Sequence, residues 1–293
     1  MAIPPDTTAL VSTDWLQEHL GAPDLRIVDA TLYLPMQKKN ARAEYDERHI
    51  PGAVFFDVDE ISDTSVDLPH MLPPADKFAS RMKKLGIGDG ARIVVYDGNS
   101  GLGAPRVWWT FRIFGAGDVA VLDGGVMKWL AEGRPVEDTP PTLRERHFTP
   151  RLDHTMVRSK RQMLENLKTH REQVLDARAA GRFNATEPEL WPGRRAGHIP
   201  GSLNLPYNQL LRPDGTFLPV DQLRAKYAAA GVDPKKPVVT TCGSGITACV
   251  LALGLELIGH RDVAVYDGSW AEWGLPGETP VEPTVAPTGA ALS

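Results

Sequence analysis

The stretch Val238-Val239-Thr240-Thr241-Cys242-Gly243-Ser244-Gly245-Ile246-Thr247-Ala248 lies over Val94-Val95-Tyr96-Asp97-Gly98-Asn99-Ser100-Gly101-Leu102-Gly103-Ala104, 144 residues upstream. Each is an apolar run that breaks into a glycine-rich turn and then enters a helical pattern, the signature of a parallel strand feeding a helix. The same spacing aligns Gly115–Gly125 (GAGDVAVLDGG) with Gly259–Ser269 (GHRDVAVYDGS), and Trp129 with Trp273. Farther upstream, Leu25–Ala30 (LRIVDA) answers the VLDA that ends at Ala177, and His49–Ala53 (HIPGA) answers His198–Ser202 (HIPGS). Such self-similarity at a fixed period means a duplicated unit. The fold expected is therefore α/β, with two tandem domains, each a parallel sheet covered by helices on both faces.

Strands are expected at 25–28, 92–96, 119–122, 174–175, 237–241 and 263–266. Helices are expected at 75–85, 104–114, 220–230 and 246–258, several of them closing on glycine. The segment from Glu137 to Thr155 is rich in Pro and charge and has no periodicity, as an interdomain connection would be. This gives a first domain at 5–137, a linker at 138–155, a second domain at 156–285 and a flexible tail at 286–293. A chain of 293 residues is long enough for two such cores.

Composition narrows the function. The charged fraction of 24% and net charge of −5 come from interspersed signs, so neither nucleic acid nor a membrane surface is an expected partner. No apolar run approaches the length of a membrane span, and residues 1–14 lack the basic start and apolar centre of a signal peptide. A cytoplasmic location is expected. Two cysteines in one short segment exclude a disulfide framework and show no metal-ligand spacing; no metal or dissociable cofactor is expected.

Cys242 follows a strand and precedes a helix through Gly243-Ser244-Gly245. Backbone N–H groups in such a loop, together with the positive end of the helix dipole, favour an anion at its centre, and a thiolate is such an anion. Gly243 and Gly245 let the backbone approach whatever the sulfur carries. Cys249, inside the next helix among apolar neighbours, reads as core packing. The first copy has no thiol in its loop, so thiol chemistry belongs to the second domain, and the first supplies structure and one wall of an interdomain site. A phosphatase would need an arginine six positions after the cysteine to grip phosphate, but Ala248 stands there. The first-copy loop also lacks the G-x-G-x-x-G spacing of a dinucleotide fold. A noncatalytic binding module is disfavoured by the intact cysteine loop. His49 and His198 recur in both copies within Pro-Gly turns and are expected to be structural.

The two HIPG turns, the paired DVAVxDG segments, Ala104–Trp109 (APRVWW) and the CGSGIT loop at 242–247 together resemble the rhodanese superfamily over nearly the whole chain. Within it they resemble the tandem-domain 3-mercaptopyruvate sulfurtransferases. The resemblance implies a sulfur carrier at Cys242, held as a covalent persulfide and discharged to cyanide, a small thiol or thioredoxin. It implies that Ser244 acts with His70 and Asp59 of the first domain, and that Gly243, Gly245, Ile246 and Thr247 surround the donor. Arg182 matches a substrate arginine of the family. The second such position is occupied by Trp191, so the expectation is that either Arg194 or Arg195 reaches the donor carboxylate instead, or that the donor is bound with one fewer charge. The small neutral CGSG loop points to mercaptopyruvate; thiosulfate, whose transferases typically carry a bulkier basic loop, is the alternative donor.

Overall fold

The computed structural model describes residues 9–34, 37–99 and 101–283. The tail expected at 286–293, and Ser100 of the first-copy loop, lie outside the described residues. The first domain contains β1 (Leu10–Val11), α1 (Thr13–His19), β2 (Leu25–Asp29), α2 (Ala41–Glu47), β3 (Ala53–Phe55), α3 (Val58–Ile61), α4 (Ala75–Lys84), β4 (Arg92–Tyr96), α5 (Gly103–Ile113), β5 (Val119–Leu122) and α6 (Gly125–Ala131). The second contains β6 (Val157–Arg158), α7 (Lys160–Thr169), β7 (Gln173–Asp176), α8 (Ala180–Phe183), β8 (Leu203–Asn204), α9 (Val220–Ala229), β9 (Val238–Thr241), α10 (Ile246–Leu257), β10 (Val263–Tyr266) and α11 (Ser269–Trp273).

Both sheets are parallel and share one strand order, β1-β5-β4-β2-β3 in the first domain and β6-β10-β9-β7-β8 in the second. The central strands are apolar on both faces because helices cover both. Along β4, Ile93 and Val95 join one core, while Val94 and Tyr96 join another on the opposite side, the two-residue alternation of a pleated strand. In the first domain α1, α2 and α6 contribute Leu16, Tyr45 and Trp129 to that second core. The four longest helices of the sequence reading, α4, α5, α9 and α10, each end just before a glycine at positive φ, between +67° and +92°, which supplies the left-handed residue a helix C-terminus uses.

Helices α5 and α10 are apolar nearly all round, a pattern that belongs to buried helices rather than to surface ones. They pack against each other across the domain boundary, so one continuous core takes Val107, Trp108 and Trp109 from α5 and Cys249, Val250 and Leu253 from α10. Arg106 of α5 is a buried exception in this core; it forms an ion pair with Asp267 of the second domain at 2.7 Å. Removing one partner of such a buried pair costs about 3–5 kcal/mol, because the other charge is left uncompensated. The linker does not hang free. His147 accepts from the Asp89 N–H at 2.9 Å through its carbonyl, the Arg151 N–H donates to the Phe114 carbonyl at 2.9 Å, and Phe148 is buried in the shared core.

Both HIPG histidines are structural. His49 stacks on Tyr45 at 4.1 Å and its backbone pairs with Glu137, while His198 stacks on Phe183 at 3.7 Å and pairs with Glu282. Each turn thereby closes the end of its own domain. Among the described residues, no helix is long and apolar enough to cross a membrane.

Candidate active site

The site forms where β9 runs into α10, because a parallel strand delivers its following loop to the carboxyl edge of the sheet. Cys242 is 2% exposed. Its N–H donates to Ser269 Oγ at 3.2 Å, and its carbonyl accepts from the Trp270 N–H at 2.9 Å, so the segment after β10 fixes the cysteine's backbone. Gly243 is anchored the same way, its carbonyl accepting from the Ala271 N–H at 2.7 Å. Cys242 directly follows β9 and precedes α10, which begins at Ile246.

Gly245 has φ +79°, a conformation that disfavours other residues, and a Cβ there would lie 2.8 Å from the Asp267 carbonyl oxygen and 2.9 Å from Arg106 Nη1. It does not border the cavity beside the thiol. Gly245 turns the chain and lets the loop approach Arg106. Gly243 does border the cavity, and a Cβ on it would crowd Arg182 Nη2 and Trp191 Nε1, each at 3.2 Å.

That cavity, of about 50 Å³, is lined by Cys242, Gly243, Ser244, Ile246 and Thr247 of the loop, by Arg182, Leu190 and Trp191 of the second domain, and by Leu34 and Leu102 of the first. The first domain thus contributes a wall, as the thiol-free copy suggested. Larger hollows of about 450 Å³ lie elsewhere, one beside Asp97 and Asp214 and another beside Asp29 and Lys39, and neither borders a cysteine.

Ser244, His70 and Asp59 meet across the domain boundary. Ser244 Oγ lies 3.0 Å from His70 Nδ1, and His70 Nε2 lies 3.3 Å from Asp59 Oδ1. His70 is buried, whereas Asp59 has 68% of its side chain exposed. The hydrogen bond with the His70 ring holds the Asp59 carboxyl below its ordinary value, so it is a carboxylate at neutral pH. A carboxylate beside Nε2 selects the tautomer with the proton on Nε2, which leaves the Nδ1 lone pair to accept from the Ser244 hydroxyl.

Arg182, on α8, donates from Nη2 to Glu189 at 2.6 Å. Glu189 also pairs with Arg178, which in turn pairs with Asp176, so two cations face two carboxylates. Arg182 Nε is buried without a hydrogen-bond partner. Arg182 itself borders the cavity, with Nη2 on the side of Gly243, so an anionic group in the cavity would meet a guanidinium.

Arg194 and Arg195 do not face the cavity, which corrects the expectation for both. Arg194 donates to the carbonyls of Ala271 and Pro192 at 2.9 and 2.8 Å. Arg195 donates to the Trp273 and Thr279 carbonyls at 3.0 and 2.8 Å. Both guanidinium groups tie the 191–195 loop to the C-terminal segment. Trp191, which stands where an arginine was sought, brings its indole N–H to the cavity instead and meets His70 edge-on at 5.9 Å.

Cys249 is fully buried, and burial pushes its thiol up to about 12. It remains a neutral thiol at neutral pH, and its Sγ lies 3.3 Å from the Gly245 carbonyl. Core packing is its role.

The rhodanese-like domain family matches the chain twice, over residues 12–132 and 159–275, with the cysteine loop in the second match. The chain belongs to the rhodanese family. Among its rhodanese relatives, 3-mercaptopyruvate sulfurtransferase from Rattus norvegicus is 45% identical over 279 residues, covering 93% of this chain and 94% of the relative. Thiosulfate sulfurtransferase from Cricetulus griseus is 46% identical over 273 residues, covering 90% and 91%. The crystal structure of SseA from Escherichia coli, described as that of a 3-mercaptopyruvate sulfurtransferase with the rhodanese fold, superposes with a TM-score of 0.83 at 40% identity and covers 91% of this chain and all of that one. Two tandem rhodanese domains, only the second bearing the loop cysteine, account for the duplication.

Proposed function

We propose that this protein is a sulfurtransferase that takes sulfur from 3-mercaptopyruvate onto Cys242 and passes it to a thiol or cyanide, releasing pyruvate. The observation that carries this reading is the convergence of the Cys242 loop with the Asp59–His70–Ser244 chain across the domain boundary.

In the first half-reaction the Cys242 thiolate attacks the donor's sulfur. A sulfur–sulfur bond forms, the carbon–sulfur bond breaks, and its electron pair goes to carbon as the enolate of pyruvate. The proton on the donor's sulfur, released as the persulfide forms, is relayed through the Ser244 hydroxyl to the carbon and gives pyruvate, with His70 accepting the hydroxyl's hydrogen bond at rest and Asp59 orienting the imidazole. In the second half-reaction the acceptor attacks the outer sulfur, and the sulfur–sulfur bond breaks to regenerate the thiolate. No dissociable cofactor enters either step. Small thiols, cyanide and thioredoxin fit as acceptors, because each presents a nucleophile narrow enough for a recessed sulfur, and the reducing cytoplasm suits a protein whose chemistry depends on a free thiolate.

The donor carboxylate is assigned to Arg182, which borders the cavity. Arg182→Ala is expected to raise KM for mercaptopyruvate about tenfold to a hundredfold, the worth of a charge-assisted hydrogen bond, with a smaller change in kcat. Glu189 keeps its bond to Arg178 at 2.6 Å, so the variant should fold. Unchanged steady-state kinetics would remove Arg182 from the donor site.

Thiosulfate is the second donor to weigh, because a thiosulfate sulfurtransferase is as similar in sequence as the mercaptopyruvate enzyme. The charge of the cleft favours mercaptopyruvate. Arg178 and Arg182 are balanced by Asp176 and Glu189, which leaves little surplus positive charge for a dianion. The ratio of kcat/KM for the two donors tests this; mercaptopyruvate is expected to lead by at least about tenfold, a margin of about 1.4 kcal/mol. A ratio favouring thiosulfate would reassign the donor.

A further inference from the structure

Arg106 is 2% exposed, and its guanidinium meets three acceptors at once. It pairs with Asp267 Oδ1 at 2.7 Å, donates from Nη1 to the Gly245 carbonyl at 3.3 Å, and donates from Nη2 to the His70 carbonyl. The ring of Trp109 backs the guanidinium at 4.7 Å. The other oxygen of Asp267 accepts from the Leu72 N–H at 2.8 Å. The ion pair therefore straddles Met71, with the cation holding the carbonyl on one side and the carboxylate holding the N–H on the other.

The turn it holds is strained. His70 has φ +59°, in the left-handed region that non-glycine residues rarely occupy, and such a conformation persists only where its surroundings fix it. The same guanidinium fixes the carbonyl of Gly245, next to Ser244. His70 and Arg106 belong to the first domain, Gly245 and Asp267 to the second. One ion pair thus sets the position of the histidine relative to the cysteine loop.

We infer that the Arg106–Asp267 pair is a positioning device that holds His70 in hydrogen-bonding reach of Ser244 across the domain boundary. Arg106 does not line the cavity beside Cys242, so it acts through His70 and Gly245 rather than on the donor. An arginine is required because its planar fork presents several donors in fixed directions, whereas a lysine ammonium is a single compact charge on a flexible stem. The inference rests on the sulfur-transfer reading.

Arg106→Lys keeps a positive charge opposite the buried Asp267 and loses the three-way grip. Its expected effect, measured by pyruvate release from mercaptopyruvate, is a fall in kcat of about a hundredfold, the scale of an ångström-level misplacement of a catalytic group. KM should change by less than about threefold, since the donor-binding residues are untouched. In a His70→Ala background the same substitution should lower kcat by less than about tenfold, because the group it chiefly positions is gone and only its bond to the Gly245 carbonyl remains to be lost. A general loss of structure would lower the folded fraction, and kcat with it, by the same factor in the wild-type and His70→Ala backgrounds. If Arg106→Lys does not fold, Asp267→Asn takes its place, since it removes the ion pair and keeps an acceptor for the Leu72 N–H. Absence of pyruvate release by the wild type would defeat the sulfur-transfer reading, and this inference with it. An active wild type whose kcat survives the substitution, or whose losses multiply independently of His70, would overturn this inference alone.

Discussion

Cys242→Ser is expected to reduce pyruvate release from mercaptopyruvate to background, a loss of at least about 10⁴-fold, as removal of a covalent nucleophile commonly gives. A serine hydroxyl is un-ionised at neutral pH, and its oxygen cannot form the sulfur–sulfur bond on which both half-reactions depend. The effect should be chemical rather than structural. The contacts that hold residue 242 are made by its backbone to Ser269 and Trp270, and they survive the substitution. The melting temperature should therefore stay close to that of the wild type, which separates lost chemistry from lost folding. Cys249→Ala provides the contrast, because that thiol is buried in α10 and protonated at neutral pH. It should cost stability through a small cavity and keep the nucleophile.

His70→Ala and Ser244→Ala should each lower kcat by about 10²- to 10³-fold, the usual contribution of a positioned proton-transfer group. The two side chains share one hydrogen bond of 3.0 Å, so the double substitution should cost little more than either alone. KM for mercaptopyruvate should move far less than kcat, because neither group holds the carboxylate. Asp59→Asn should lose about tenfold, since a side chain 68% exposed orients the imidazole through solvent-screened contact. The sign of the pH effect follows from its lowered carboxyl. The Asp59 carboxylate orients His70 above that lowered value, and the orientation is lost as pH falls through it. Rates of pyruvate release across acidic pH, for wild type and Asp59→Asn, would show this limb. Multiplicative losses in the Ser244–His70 double variant would mean that the two act separately.

The sequence made the buried strands legible because residues apolar on both faces read as unbroken runs. Arg92–Tyr96, Val119–Leu122 and Val263–Tyr266 lie where the runs placed them. The run beginning at Pro237 starts one residue later in the structure, at Val238; proline has no N–H to give, though its carbonyl accepts from Gln173 at 2.9 Å. The four edge strands, Leu10–Val11, Ala53–Phe55, Val157–Arg158 and Leu203–Asn204, are absent from the sequence reading, because two or three residues carry no periodicity and each is defined only by the neighbour it pairs with.

The thiol loop was legible because the duplication supplied a thiol-free copy for comparison. The meeting of Ser244 with His70 and Asp59 came from family resemblance rather than from any local pattern, since the residues are far apart in the chain. Arg194 and Arg195 failed as donor ligands because their partners, the carbonyls of Pro192, Ala271, Trp273 and Thr279, leave no mark on side-chain identity. Arg106 did leave a signal, a charge within the apolar run of α5. Its meaning needed Asp267, which the fold brings to it from the other domain.

The central claim is that sulfur rests on Cys242 between two half-reactions. Intact-mass measurement after mixing the protein with equimolar mercaptopyruvate, with no acceptor present, tests it most directly. The wild type should gain the mass of one sulfur atom, on the peptide carrying Cys242, and should lose it when cyanide is added. Pyruvate release with no sulfur retained on the protein, or a sulfur gain mapped to Cys249, would contradict the account.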